Sequence, residues 1–470
     1  MKTKNNPFVY LFIVLFSLSI GLLFNLSIKI GILISIFITL LLLVFLLTKI
    51  FKKFDPFLML VFLYPLLPFH MGYDVLSGLV PVFRVHRILT VLLLLFWLFK
   101  SKSIKESIIA FPLNKIFLLM FVPISFASFF SFSPIASFFY LGSFTIEYFF
   151  FAVMIFDLTK EEGVANKLMI IIAISSIIAA IIGVLEYYSG INVYSYIKPF
   201  SLGMKYAVTQ QIREGSLRIR GAFDHSISFG VYLSLSLAAV VYLFLMSKKI
   251  YQKAFYSMAG VFISFAVFLT RSRISILLMF VLIISVLLLK KRKVLFLASF
   301  VFMFFLVQPF FFQAQRNEIL VLIHSAFMPL TAGSKEMIGS AMMRINQFNE
   351  ISSLIIKKPI VGYGRIDLNT GSVDSLYLLM ALRFGVLACV GFLLVNMFIF
   401  RQALSLYIKS RDEKFKVFGL IICSALLGLF FVWAAVSLES YFYLLWIYIG
   451  ILSRFYLALN KNIKSKKNDI

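Results

Sequence analysis

Residues 254–289 read AFYSMAGVFISFAVFLTRSRISILLMFVLIISVLLL. Arg271 and Arg273 are the only charges in this run. One helix crossing a bilayer takes about 20 apolar residues. The run is too long for one such helix and just long enough for a hairpin of two short ones. Its turn is then Thr270-Arg-Ser-Arg273, at or slightly below a membrane face. Backbone groups in lipid pair only within helices or closed barrels. No ten-residue stretch of the chain alternates with period two, which argues against a barrel. The expected class is an all-α polytopic membrane protein.

Composition agrees. Of 470 residues, 62% are hydrophobic and only 14% charged, with mean hydropathy +1.01. Apolar surface on that scale has to face lipid, so residues 1–470 are read as a single integral membrane domain. The net charge of +26 lies in short clusters between apolar runs, so nucleic acid is not an expected partner. Cys389 and Cys423 both fall in apolar runs and suggest no disulfide framework. There is no P-loop, no dinucleotide fingerprint and no Cys/His metal spacing. No metal and no cofactor is expected, and ATP-driven transport within this chain is excluded.

Apolar runs suited to spanning helices lie near 8–27, 29–48, 55–69, 85–99, 115–132, 134–156, 167–189, 224–246, 254–270, 274–289, 294–312, 376–400, 417–434 and 436–457. The expected count is about 12–14. The first follows Lys2 and Lys4 like a signal peptide, but no small-x-small cleavage site follows, so it reads as a retained helix. Alternate connections collect the lysines, from Lys49, Lys52 and Lys53 through Lys290-Lys-Arg-Lys293 to the tail from Lys461. The positive-inside rule makes that side, and both termini, cytoplasmic. The other side carries an arginine-rich loop at 190–223, the Arg271–Arg273 turn and a large loop at 313–375. In that loop Met342, Ile345, Phe348, Ile351 and Leu354 recur at helical spacing, which predicts an amphipathic helix ended by Pro359. A second surface helix is expected over Gln313–Met328, and a flexible turn at Gly362-Tyr-Gly364.

Arginine outnumbers lysine on this opposite side: Arg213, Arg218, Arg220, Arg271, Arg273, Arg316, Arg344 and Arg365. Lysine inside is a topology signal. Arginine outside fits bidentate anion binding. The stretch Arg213-Glu-Gly-Ser-Leu-Arg-Ile-Arg-Gly-Ala-Phe-Asp-His225 and the Arg271–Arg273 turn are expected to meet and hold an anionic ligand. His225 stands just where a helix begins, with Asp224 or Ser226 as its cap. Asp374 tops another helix, and Glu439 sits in the turn between the last two. Guanidiniums beside a few carboxylates suit one reaction well. Arginines hold a lipid-linked pyrophosphate, a carboxylate or histidine takes a proton from a sugar hydroxyl, and the hydroxyl displaces the pyrophosphate.

Four stretches resemble the O-antigen ligase / polysaccharide polymerase superfamily of bacterial membrane glycosyltransferases. They are Arg218-Ile-Arg-Gly-Ala-Phe-Asp-His225-Ser, Thr270-Arg-Ser-Arg-Ile-Ser275, Arg344 with Lys358-Pro-Ile-Val-Gly-Tyr-Gly364, and Ser372-Val-Asp-Ser-Leu-Tyr377 with Phe384-Gly385. Ile274 stands where the family usually has glycine. The resemblance implies a donor on a polyprenyl pyrophosphate carrier and a glycan acceptor at the outer face of the bacterial cytoplasmic membrane. It implies pyrophosphate contacts from Arg218 or Arg220, Arg273 and Arg344, with Arg271 and Arg365 as further candidates. Where the ligases carry a histidine for the acceptor, this chain has Asp374. That departure favours a metal-independent, inverting polymerase of lipid-linked repeat units (O-antigen, capsule or exopolysaccharide) over a ligase moving finished glycan to lipid or protein. Candidate bases are Asp374, His225 and Glu439, in that order. A flippase and a chain-length regulator are the expected protein partners. A rival of another class is a flippase or exporter of lipid-linked sugars. It should show pseudo-repeated halves and charges along a central path, whereas here the arginines gather on one side.

Overall fold

The computed structural model describes residues 55–69, 72–73, 83–101, 103–161, 163–196, 211–213, 216–289, 335–364, 373–437 and 441–468. The runs expected at 8–27, 29–48 and 294–312, the surface helix at 313–328, Arg365 and Glu439 lie outside the described residues. The described chain is α-helical: α1 (Pro56–Leu63), α2 (Val85–Lys100), α3 (Ile104–Ala110), α4 (Asn114–Phe129), α5 (Pro134–Leu158), α6 (Val164–Ser189), α7 (Ser226–Met246), α8 (Ile250–Leu269), α9 (Arg273–Leu289), α10 (Lys335–Lys357), α11 (Leu376–Lys409), α12 (Glu413–Ala435) and α13 (Phe442–Asn468). Two two-residue hairpins, β1–β2 (Gly72–Tyr73 with Phe83–Arg84) and β3–β4 (Ile212–Arg213 with Ser216–Leu217), are its only strands among the described residues.

Seven of these helices are long and apolar enough to cross a membrane: α5, α6, α7, α8, α11, α12 and α13. The pair α3–α4, bent by 90°, makes up to an eighth. The runs expected near 55–69, 85–99 and 274–289 are helical but shorter. The protein is an all-α polytopic membrane protein. Local chemistry sets the helix ends. The Asp55 side chain caps α1 with Pro56 at its first position, and Asp412 caps α12. Gly190, at φ +69, closes α6 in the left-handed conformation that glycine adopts freely.

α7 is the central helix, buried on almost every face. It packs on α6, α8, α9 and α12. Small residues let it in: a Cβ on Gly230 would come within 2.5 Å of Ser275 Oγ and 2.8 Å of Thr270 Oγ1. Ser234 Oγ donates to the Ser275 carbonyl at 2.8 Å, a contact of the kind that binds helices where lipid offers no hydrophobic drive. α8 and α9 are joined by the turn expected at Thr270–Arg273. They pack mainly on other helices, α8 on α7 and α6, α9 on α12 and α7. At the far end of the bundle, Asp157 accepts from Trp97 Nε1 (2.7 Å), Ser101 Oγ (2.9 Å), Ser107 and Lys160, tying α2, α3 and α5 together.

α11 is broken at Gly385 (φ +81, ψ 168). A break inside an apolar helix frees backbone groups that lipid cannot satisfy. The segment 358–364 satisfies them. Tyr363 N–H donates to the Leu382 carbonyl (2.9 Å), Gly364 N–H to Arg383 (2.8 Å), and Val386 N–H to the Pro359 carbonyl (2.7 Å). The turn expected to be flexible is therefore a strap pinned to a broken helix. The amphipathic helix is also longer than its apolar spacing suggested, starting at Lys335 and ending at Lys357 before Pro359. Its Ile351 packs with Tyr363, Val373 and Leu382.

Gly385→Ala should fail structurally. A Cβ there would meet Ile360 O at 2.0 Å, in a conformation that L residues rarely adopt. The expected loss exceeds about 2 kcal/mol. Thermal unfolding of the detergent-purified protein and its size-exclusion profile check this; a wild-type melting temperature would contradict the strap's role.

Candidate functional site

The two arginine stretches meet. Arg218 Nε donates to the Thr270 carbonyl at 3.0 Å, and Ile219 N–H to the Leu269 carbonyl at 3.3 Å. The first stretch thus lies across the end of α8. Side chains shape the turn beneath it. Thr270 Oγ1 accepts from Ser272 N–H (3.3 Å) and donates to the Val267 carbonyl (2.6 Å), and Ser272 Oγ accepts from Ser275 Oγ (2.8 Å). Arg271 has φ +50, a left-handed conformation costing a side-chain-bearing residue roughly 1–2 kcal/mol. Such strain persists only where the surroundings over-determine it. Arg271 is buried and Arg273, the first residue of α9, is half-buried.

Arg220 is 3% exposed. Its backbone turns back on a carboxylate: Glu186 Oε2 of α6 accepts from Arg220 N–H (3.1 Å) and Gly221 N–H (2.8 Å). Asn192 Nδ2 donates to the Gly221 carbonyl (2.9 Å), and Phe69 N–H to that of Ala222 (2.8 Å). Gly221 needs its missing side chain, at φ +54 with the Phe229 ring 3.1 Å from a Cβ position. Burial pulls the Arg220 pKa down, opposed by the charges of Glu186 and Asp224.

The cap of α7 is neither Asp224 nor Ser226. His225 caps it, its Nδ1 accepting from Ile227 N–H at 3.0 Å. Asp224 is drawn away to Arg84, at 3.2 Å across 140 residues of sequence. Ser226 N–H is taken by Gln211 Oε1 (3.1 Å). With Nδ1 occupied as an acceptor, the neutral imidazole carries its proton on Nε2. His225 is thereby arranged to donate a hydrogen bond. Its pKa is lowered to about 4 by burial first and the Arg218 charge next, with Asp224 acting in the opposite sense.

Asp374 stands at the same end of the bundle. Its backbone N–H donates to Gln347 Oε1 of α10 at 3.2 Å. Ser375 caps α11, and its hydroxyl donates to the Trp433 carbonyl near the end of α12 (3.4 Å). α12 in turn meets α9, where a Cβ on Gly428 would lie 2.4 Å from Leu278. Asp374 therefore precedes a helix that starts against the end of α12, the helix that packs on α9. Arg344 is on α10; its side chain, like Arg365 and Glu439, lies outside the described residues.

Sequence reasoning passed over Glu186, Arg84, Gln211 and the Arg87–Glu147 pair. The last joins Arg87 Nε to Glu147 Oε1 at 2.6 Å, on a π-helical stretch, Thr145–Phe150, of α5. Glu186 and Glu147 had a readable signal: each is an acid within an apolar spanning run, where a charge needs a partner. Gln211 had none.

Comparison with known families bears on the second half of this geometry. Residues 258–393 match the O-Antigen ligase family model. The matched stretch holds the Arg271–Arg273 turn, Arg344, the strap, Asp374 and the break at Gly385, and ends before α12. It supports the O-antigen ligase/polymerase superfamily and suggests a glycosyltransferase-like enzyme that acts on lipid-linked glycans. No curated protein matches the chain.

The histidine cap gives a pH dependence. Between pH about 4 and the ordinary 6.5, the unfolded chain binds a proton that folded His225 refuses. Its contribution to stability is complete above 6.5 and is lost as pH falls towards 4. Wild-type melting temperature should drop between pH 7 and pH 5. His225→Asn keeps a capping side chain and should flatten part of that slope. Identical slopes for the two proteins would remove His225 as the cause.

Proposed function

We propose that the chain is a polymerase that joins lipid-linked oligosaccharide repeat units at the outer face of a bacterial cytoplasmic membrane. The observation that carries this reading is the Arg218–Thr270 bond. It assembles guanidiniums from two distant stretches at one end of an apolar bundle. Among the described residues Arg84, Arg218, Arg220, Arg271 and Arg273 stand there with Glu186 and Asp224. The Glu186 carboxylate already serves backbone N–H groups. An excess of fixed cations at the end of the bundle suits a pyrophosphate presented by a polyprenyl lipid.

In this reading Arg218, Arg220, Arg271, Arg273 and Arg344 hold the donor's pyrophosphate, with Arg365 a further candidate. Asp374 is the base. It takes the proton of an acceptor sugar hydroxyl while that oxygen attacks the donor's anomeric carbon. The bond from that carbon to the pyrophosphate oxygen breaks with inversion. The polyprenyl pyrophosphate leaves with the electron pair, stabilised by charges already in place. His225 serves better through its Nε2 proton, as a donor to a phosphate oxygen, than as a base. The arginine end faces outward and the lysine-rich connections face the cytoplasm.

A second reading, a ligase moving finished glycan to a lipid or protein acceptor, is favoured by the description of the family that residues 258–393 match. Glycan profiling of a strain lacking the chain separates the two. A single repeat unit on its final acceptor, without a ladder, fits the polymerase; long polymer accumulating on the carrier fits the ligase. Arg220→Ala and Arg273→Ala should each abolish polymer while the protein still reaches the membrane. Asp374→Asn should lower kcat by about 100-fold or more with KM little changed. Full polymer from both arginine variants would sink the site assignment.

A further inference from the structure

The strap carries two cations away from the Arg218–Thr270 junction. Lys358 Nζ lies 3.8 Å from the centre of the Phe132 ring and 5.1 Å from that of Tyr363. Those two rings are stacked at 6.0 Å, and Phe132 N–H donates to the Tyr363 carbonyl. On the helix side of the strap, the Arg383 guanidinium lies 5.7 Å from the Tyr140 ring centre, and Tyr140 stacks on Phe384 at 5.6 Å. Both cations are half-buried. Among the described residues neither has a carboxylate partner.

Aromatic faces fix a cation in place without neutralising it. The backbone beneath is fixed as well, since the carbonyl of Arg383 accepts from Gly364 N–H and that of Leu382 from Tyr363 N–H. The surface around is apolar and exposed: Phe129 67%, Phe130 59%, Phe132 62%, Ile135 63% and Ile360 55%. Two held cations with no carboxylate partner among the described residues, beside apolar surface, suit one ligand chemistry, a phosphate carried on a hydrocarbon chain.

We propose that Lys358 and Arg383 form a second lipid-phosphate site, which takes the pyrophosphate of the acceptor's polyprenyl carrier. This rests on the polymerase reading: both substrates of a polymerase are lipid-linked, so it needs two places for a lipid phosphate, and a ligase acting on finished glycan needs one for its donor. Anionic phospholipid shares the chemistry and is the competing source.

The test uses the full chain in phosphatidylcholine nanodiscs with geranylgeranyl pyrophosphate as probe, read by native mass spectrometry. Two bound molecules per chain are expected for wild type, and one for Lys358→Gln/Arg383→Gln, whose second binding event should weaken on the order of 10-fold or more. Lys358→Arg/Arg383→Lys should restore it, which separates lost charge from lost fold. Arg220→Gln/Arg273→Gln should lose the other molecule. A Lys358→Gln/Arg383→Gln protein that binds two like wild type overturns the second site and leaves the arginine junction standing. Two molecules on Arg220→Gln/Arg273→Gln would instead overturn the donor site. In phosphatidylglycerol nanodiscs, retention of the Lys358-dependent molecule supports the acceptor as its source. Its loss there assigns the site to anionic phospholipid and overturns the acceptor role.

Discussion

A backbone amide or carbonyl inside a lipid-bounded bundle has to find a partner, and this protein is arranged around two places where the chain leaves the helix. At residues 218–222 the partners come from four directions. The carboxylate of Glu186 takes two N–H groups, Asn192 serves the Gly221 carbonyl, Phe69 reaches that of Ala222, and Leu269 receives Ile219. At Gly385 the strap 358–364 completes the broken helix. Each bond is worth only about 1 kcal/mol net, but an unpaired group would cost more than a bond gains. Irregular backbone at these two places is thus fully supported, and Arg218, Arg220, Lys358 and Arg383 are carried on them or beside them.

Electrostatics follows from that pairing. A buried carboxylate near an arginine cluster would ordinarily cancel part of its charge. Here Glu186 offsets part of the Arg220 charge while also serving backbone donors, and Asp224 is shared with Arg84, which brings another guanidinium to the same corner. Acids in this region position the arginines, which outnumber them among the described residues. Arginine suits the purpose better than lysine because its planar fork can hold a peptide carbonyl with one N–H and present others elsewhere. Arg218 does the first with Thr270.

Much of the architecture was legible, because hydrophobic length is a local property. The runs that became α5, α6, α7, α8, α11, α12 and α13 could be read directly, and so could the turn at Thr270–Arg273. That the two arginine stretches would share a corner was also readable, since charge in an oily chain has few places to go. The misreadings have a common cause. Asp224 is a good cap by type, but Arg84, 140 residues earlier, claims it, and His225 takes over. Gly362 and Gly364 suggested flexibility, but their freedom serves a fixed conformation set by the break in α11. Both depend on a distant partner that no window of sequence contains.

The conformations of Arg271 and Gly385 explain why these segments tolerate no simpler solution. Arg271 is held left-handed where α8 must end and α9 begin within three residues, beneath the close approach of Gly230 to Thr270 and Ser275. A regular helix through this point would place Arg271 and Arg273 in the middle of one long apolar span, and a charge at the centre of a span costs roughly 2.5–3.5 kcal/mol on insertion scales. The break at Gly385 does the corresponding work in α11. It lets the chain turn at the level of Arg383 and frees carbonyls for the strap, whose Lys358 then lies over Phe132. In both cases a local departure from the helix sets where a cation lies.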